Sequence, residues 1–161
     1  YVLVALGFGG PVGLAAAVVF SVANALNKAL LFLAAELRGP LMATAFLIGA
    51  LSVAGVPPTA GFFGKASLFE AGVDAESVAG LALLFLGGAL TFVYVFQIYQ
   101  HDRWRPREER ERRTPETHAS RAQRAVAVVV ALVVLVLGLW PQPLLAVGDQ
   151  AAAEVTREAP R

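Results

Sequence analysis

Residues 52–70 read SVAGVPPTAGFFGKASLFE, and this stretch decides the fold because two adjacent prolines interrupt an apolar sequence. Proline supplies no backbone amide donor and constrains the residue before it, so a helix ends at this point. The apolar segment from Thr59 to Gly72 has 14 residues. As a helix it would be roughly 21 Å long, shorter than a hydrocarbon core of about 30 Å. The stretch therefore predicts a short or discontinuous membrane helix that carries Lys65. The residues predicted to form the helix break are Pro57, Pro58, Gly61 and Gly64.

Longer apolar segments flank this short one. A transmembrane helix needs about 20 mostly apolar residues, and turn residues divide the remaining sequence into a helix end at 1–6 and spans at 12–37, 41–56, 77–100 and 125–140. We predict an all-α polytopic membrane helix bundle of about five spans. It occupies residues 1–148 as a single unit, and a polar C-terminal tail follows at 149–161. Because the first residues resemble the end of an apolar helix, we expect the chain to be a fragment of a larger protein.

The composition indicates that the solvent is a bilayer. Of the 161 residues, 57% are hydrophobic and 16% are charged, and the mean hydropathy is +0.65. In soluble domains about a quarter of the residues are charged, so an ordinary soluble enzyme is disfavoured. The chain has no cysteine, which excludes thiolate ligands and thiol nucleophiles, and its two histidines have no metal-ligand spacing. No residue pattern indicates a catalytic site, a metal site or a cofactor.

Most of the charge lies at residues 101–124, which contain eight arginines and five acidic residues. By the positive-inside rule this loop is predicted to be cytoplasmic, and the C-terminus, one span later, is predicted to lie outside. We interpret the loop as a solvated connector, with a partner-binding site as the alternative. The basic residues form one short loop rather than the surface of a folded polar domain, so nucleic-acid binding is disfavoured.

The two lysines differ from the eleven arginines in position. Every arginine lies outside the spans or at their ends, whereas Lys28 and Lys65 lie deep within apolar segments. Arginine is effectively never neutral, but a lysine can release its proton when it is desolvated. An ionisable group at the centre of a membrane helix costs about 2.5–3.5 kcal/mol on insertion scales. The sequence therefore predicts that Lys28 and Lys65 form a proton relay.

Polar residues accompany Lys28. At 100° per residue Ser21, Asn24 and Lys28 fall within about 60° of one another on a helix, with Asn27 on the flank of this face. We interpret Ser21, Asn24 and Asn27 as a candidate polar path, because asparagines can donate and accept hydrogen bonds in a chain, although they do not titrate. The alternative is that the asparagines join helices and that Lys28 neutralises an acid elsewhere. For Lys65 the alternative is an ammonium that reaches the headgroups.

Two runs resemble signatures of a known family. The run from Asn24 to Ala35, NALNKALLFLAA, and the run at 52–70 are similar to those of the antiporter-like membrane subunits shared by Mrp-type cation/proton antiporters and respiratory complex I. The run GLWPQPLLAV at 138–147 resembles the end of the last helix in the D-type subunits of Mrp antiporters. The resemblance implies that the chain is the C-terminal portion of a protein with about fourteen helices. It also implies that Lys28 and Lys65 belong to a mid-membrane axis of protonatable groups.

The resemblance implies a function for the chain. We expect a proton-translocating subunit of a Mrp-like sodium/proton antiporter in a bacterial plasma membrane, with other membrane subunits as partners, H⁺ and Na⁺ as the ions and no covalent chemistry. One alternative is a proton-pumping subunit of a complex I-like NADH-quinone oxidoreductase or of a membrane-bound hydrogenase. Another is a membrane scaffold that does not transport. Many family members have histidine at the positions of Phe20 and Asn24, and these two substitutions favour the scaffold slightly.

Overall fold

The computed structural model describes residues 1–35, 39–103 and 121–158, and of residues 98–103 and 158 it describes the backbone alone. Within these ranges the chain forms seven helices and no strand, which confirms the all-α prediction. The helices are α1 (Val2–Phe8), α2 (Gly10–Ala35), α3 (Pro40–Ala54), α4 (Ala60–Asp74), α5 (Val78–Arg103), α6 (Arg121–Leu139) and α7 (Gln142–Glu158). The centre of the charged loop, residues 104–120, lies outside the described residues.

Three of the described helices, α2, α5 and α6, are long and apolar enough to cross a membrane. They confirm the polytopic membrane bundle. The span predicted at 41–56 corresponds to α3, whose 15 residues are fewer than the roughly 20 of an ordinary membrane span. At 1.5 Å per residue α3 is roughly 22 Å long, which is less than the thickness of a hydrocarbon core.

Helices α3 and α4 follow one another along α2. Gly49 of α3 packs against Leu30 in the second half of α2, whereas Gly64 of α4 packs against Ala23, nearer the centre of α2. Further along, Leu68 of α4 shares a core cluster with residues near the start of α2. The residue numbers of the contacts on α2 thus decrease as those on α3 and α4 increase, so both helices run antiparallel to α2. Neither half is long enough to cross a bilayer alone, but together they are, and the pair forms one discontinuous membrane helix.

The interruption between α3 and α4 lies at residues 55–59. Gly55 ends α3 in the left-handed conformation at φ 83°, which glycine adopts without steric cost. Pro57 and Pro58 follow, and the Thr59 hydroxyl donates a hydrogen bond to the Val56 carbonyl at 2.6 Å. The chain thus turns within five residues before α4 begins.

The prediction that Gly61 and Gly64 form part of the helix break is wrong. Helix α4 is a regular α-helix of 15 residues, and Gly61 and Gly64 lie in its first two turns rather than in the interruption. A Cβ atom at Gly61 would overlap the backbone of Ser52. These two glycines therefore permit close helix contacts, while the prolines and Gly55 make the break.

The last two helices also follow one another. The predicted end of the last span at Trp140 agrees with α6, which ends at Leu139, and α7 begins directly after Pro141. In the middle of α6, Ala131 lines an apolar groove together with Ala45 of α3. In α7, Gly148 packs against Val19 in the first half of α2. Helices α6 and α7 thus pass along opposite halves of α2, and α7 continues across the boundary that we placed at residue 148.

Helix α2 is the central helix of the bundle, in contact with α1, α3, α4, α6 and α7. One core cluster surrounds Leu30 and Val134, and the other surrounds Leu68 and Leu84. Alanine and glycine supply much of the buried surface, as is usual where membrane helices approach closely. The core thus extends on both sides of the interruption, and the candidate site lies between the two clusters.

Candidate functional site

Lys65 joins the two halves of the discontinuous helix. Its ammonium, carried by α4, donates a hydrogen bond to the carbonyl oxygen of Ala54, the last residue of α3, at 2.8 Å. The side chain passes directly over Gly55, where a Cβ atom would lie 2.7 Å from Lys65 Cδ. The last carbonyls of a helix have no acceptor role within it and carry the negative end of its dipole. The positive charge therefore interacts with a helix terminus.

A cavity of about 170 Å³ lies beside Lys65. A water molecule takes up about 30 Å³ in the liquid, so the cavity has room for several. The residues that line it are Tyr1, Phe20, Ala23, Asn24, Asn27, Ser52, Val53, Gly61, Lys65 and Thr91. Four helices, α2 to α5, and the first residue of the chain thus converge on the cavity beside the interruption.

The floor of the cavity contains a buried amide. Asn27 is 3% exposed, and its Oδ1 atom has no hydrogen-bond partner among the described residues. Beside it, the Gly61 amide donates a hydrogen bond to Ser52 Oγ at 3.0 Å, and this bond joins α4 to α3 across the interruption. A buried acceptor in a polar cavity is a favourable place for a water molecule or another donor. The site can therefore accept a hydrogen bond close to Lys65.

Tyr1 closes the other side of the site. The Lys65 ammonium lies 5.8 Å from the centre of the Tyr1 ring, within the range of a cation–π interaction. The ring also packs against Phe20, with 5.1 Å between the two ring centres. The Tyr1 hydroxyl is buried and has no partner among the described residues. Lys65 is therefore held between an aromatic face and a helix terminus, and none of the described residues that line the cavity is acidic.

The structure separates the polar residues predicted on α2. Asn24 and Asn27 line the cavity with Lys65, whereas Lys28 and Ser21 lie on the exposed face of the helix. The Ser21 hydroxyl donates a hydrogen bond to the carbonyl of Ala17 at 2.7 Å within α2. At 100° per residue Asn27 lies on one side of Asn24, and Lys28 and Ser21 lie on the other. The α2 surface in the cavity is therefore centred on the asparagines, and Lys28 points away from Lys65.

Three further polar residues line the cavity without having been predicted. Ser52 stands at the start of the stretch at 52–70, and its position before a proline-induced break is the one available signal. Thr91 of α5 lies far from that stretch in sequence, and its hydroxyl donates to the Gly87 carbonyl at 2.7 Å. Tyr1 is the first residue of the chain. Neither Thr91 nor Tyr1 belongs to a recognisable pattern. In residues 1–35, 39–103 and 121–158, no group of three or more His, Cys, Asp or Glu side chains could hold a metal ion.

Comparison with known proteins shows what this chain is similar to. Residues 36–91 match the family model described as NADH:quinone oxidoreductase/Mrp antiporter, TM. The match includes the interruption and Lys65. A solved structure, the Mrp complex from Dietzia sp. DQ12-45-1b, is similar over 95% of this chain and 40% of its own, with a TM-score of 0.76 and 27% sequence identity. The chain is similar to the antiporter-like membrane subunits. The resemblance stated from the sequence is thus confirmed.

The curated relatives of this antiporter-like chain include both branches of the family. The N subunit of the F(420)H(2) dehydrogenase of Methanosarcina mazei is 28% identical over 94% of this chain and 36% of the relative. The N subunit of the NADH-quinone oxidoreductase of Rhodopseudomonas palustris is 42% identical over 40% of this chain and 15% of the relative. The D subunit of the Na(+)/H(+) antiporter of Bacillus subtilis is 37% identical over 45% of this chain and 15% of the relative. The chain thus matches about a third or less of the length of these relatives.

Proposed function

We propose that this antiporter-like chain forms part of a proton-translocating subunit of a Mrp-like sodium/proton antiporter, and that Lys65 is a proton carrier in it. The observation that carries the proposal is the position of Lys65. Its ammonium donates to the end of a half-helix and borders a polar cavity with Asn24 and Asn27. Backbone carbonyls freed at the break of a discontinuous membrane helix are a recurring ion and proton site in transporters.

The proposed cycle uses the residues around the cavity. When charged, Lys65 donates to the Ala54 carbonyl. When it releases its proton, water held against Asn27 Oδ1 and Asn24 carries the proton through the cavity, since amides relay hydrogen bonds without titrating. Desolvation disfavours the charged form of a buried amine, whereas a hydrogen bond to that form favours it. These opposing effects allow the proton to be both held and released.

Lys28 has a different place in the proposal. It lies outside the cavity, on the exposed face of α2. Helical side chains lean toward the N-terminus of their helix, so its stem points toward the centre of α2 and of the bilayer. An ammonium at this depth costs free energy unless it has a polar neighbour. We therefore assign Lys28 to the contact with further membrane helices of the same assembly, where it passes protons to and from them.

A second candidate function is supported by the relatives. The N subunits of an F(420)H(2) dehydrogenase and of an NADH-quinone oxidoreductase match the chain, which favours a proton-pumping subunit of a redox-driven complex. In this case Lys65 and its cavity keep the same role. The two functions are distinguished by whether a Na⁺ gradient alone, without an electron donor, drives proton movement in vesicles that contain the complex. Placement of the charged loop in the cytoplasm and of the C-terminus outside belongs to both proposals.

The test replaces Lys65 in the full-length protein within its complex. Lys65→Ala removes the amine, and Lys65→Arg keeps a positive charge that is never neutral. We expect both variants to assemble and both to lose sodium-driven proton movement, measured in vesicles with a pH-sensitive dye. If the positive charge of Lys65 had only a structural role, Lys65→Arg would retain that charge and would still transport. Transport at the wild-type rate by Lys65→Arg would contradict the proposal.

A further inference from the structure

Gly138 lies in the last turn of α6 and contacts the backbone of the interruption. A Cβ atom at this position would overlap the carbonyl of Pro58 and would lie 2.5 Å from the Cα atom of Thr59. Gly138 is buried. Because the atoms in contact belong to the backbone, they cannot rotate away as the end of a side chain can. The contact therefore sets how closely α6 approaches residues 55–59.

The contact joins two helix interruptions. On one side, Pro58 and Thr59 directly precede α4. On the other, α6 ends at Leu139, one residue after Gly138, and Trp140 and Pro141 separate it from α7. The Trp140 amide still donates a hydrogen bond to the Val136 carbonyl at 2.7 Å, so the end of α6 is well defined. The discontinuous helix α3–α4 and the helix pair α6–α7 thus meet where each is broken.

The interruption determines the surroundings of Lys65. Ala54, which accepts the lysine hydrogen bond, lies four residues before Pro58, and Lys65 lies six residues after Thr59. A displacement of Pro58 and Thr59 therefore changes the distance between the two partners. We propose that Gly138 is a positioning residue for Lys65, through which α6–α7 holds the carbonyl of Ala54 against the ammonium. This inference rests on the proposed role of Lys65 as a proton carrier.

Gly138→Ala tests the positioning of Lys65 without changing its chemistry, because the substitution replaces no titratable group. The titratable side chains that line the cavity are Lys65 and Tyr1. Displacement of the Ala54 carbonyl weakens a hydrogen bond to the charged amine, which then gives up its proton more readily. We expect the pH of half-maximal transport to fall by about one unit, which corresponds to a tenfold change in the equilibrium for proton release.

Gly148→Ala is the matched control. Gly148 of α7 is also in close contact, since a Cβ atom there would lie 2.5 Å from Val19 Cγ2 and 2.9 Å from the Ala15 carbonyl oxygen. Its contact is with α2 and not with the interruption. Both variants are made in the full-length protein within its complex, and sodium-driven proton movement is measured as a function of pH. We expect both to lower thermal stability and Gly138→Ala alone to shift the pH profile.

The outcomes separate this inference from the proposed function. An unshifted profile in Gly138→Ala, or equal shifts in Gly138→Ala and Gly148→Ala, overturns the positioning role. If Gly138→Ala does not assemble, Pro141→Ala replaces it. This variant adds no atom at the contact but removes the proline ring between α6 and α7. A shift of its pH profile supports the inference, and an unchanged profile overturns it. Wild-type transport by Lys65→Ala in the same assay overturns the proposed function itself.

Discussion

Ser52 makes the hydrogen bond that joins the two halves of the discontinuous helix, and Ser52→Ala removes it. The Ser52 side chain is fully buried, and its Oγ atom accepts the Gly61 amide at 3.0 Å. That amide lies in the first turn of α4, where no carbonyl of the same helix is available to it. A buried donor left without a partner costs about 1–3 kcal/mol. We therefore expect Ser52→Ala to lower the local stability of this turn by about that amount.

Hydrogen exchange of the full-length protein in its complex measures this loss. Because 1.4 kcal/mol corresponds to a factor of ten, the amides of Gly61 and Phe62 should exchange roughly 5- to 140-fold faster in Ser52→Ala. Mass spectrometry of a peptide that contains both residues resolves such a change. Sodium-driven proton movement should fall as well, since the start of α4 positions Lys65.

Ser67→Ala in the same helix is the control. Ser67 is also buried, but its hydroxyl donates to the Phe63 carbonyl within α4 at 3.1 Å. That carbonyl also belongs to the hydrogen-bonding pattern of the helix, so removal of the hydroxyl leaves no buried group without a partner. We expect a small effect. If Ser67→Ala accelerated exchange at Gly61 as much as Ser52→Ala does, the reasoning about the interruption would be refuted.

Two further variants test the cavity. Asn27→Leu removes the unpartnered Oδ1 atom, so we expect the thermal stability to be unchanged or higher. Proton movement should fall by roughly tenfold, equivalent to about 1.4 kcal/mol in the barrier. A fall in stability with unchanged transport would show that the amide contributes only to packing. Gly55→Ala forces a left-handed backbone at a cost of about 1–2 kcal/mol and crowds Lys65 Cδ. Gly10→Ala, at φ 65° with open space around it, should carry similar strain, and equal transport by both variants would contradict the role of the Gly55 contact.

Much of the fold was predictable because its determinants are local. The apolar runs predicted the long helices, and Pro57 and Pro58 predicted the interruption, since both signals act within a few residues. Residues 41–56 were counted as a span of their own, because hydropathy does not distinguish a full span from half of a discontinuous one. Gly61 and Gly64 were assigned to the break because a glycine that permits a turn and a glycine that permits close packing look the same in sequence.

The candidate site was predictable only in part. Lys65 was identified because a lysine within an apolar membrane segment costs free energy and therefore indicates a functional residue. The helical stripe on α2 was placed about one residue position away from its true centre, so Lys28 was grouped with the asparagines although it faces outward. Tyr1 and Thr91 enter the cavity through tertiary packing of α1 and α5. Long-range contacts of this kind leave no periodic signal in a single sequence.

The Lys65 ammonium donates to a main-chain oxygen and not to a carboxylate, and this difference affects where a released proton can go. A carboxylate partner could take the proton itself and so neutralise the pair without any net movement. The carbonyl of Ala54 cannot be protonated in this way, so in the proposed cycle a proton that leaves the amine moves onward. The partial negative charge that faces Lys65 is thus supplied by the point at which a helix ends.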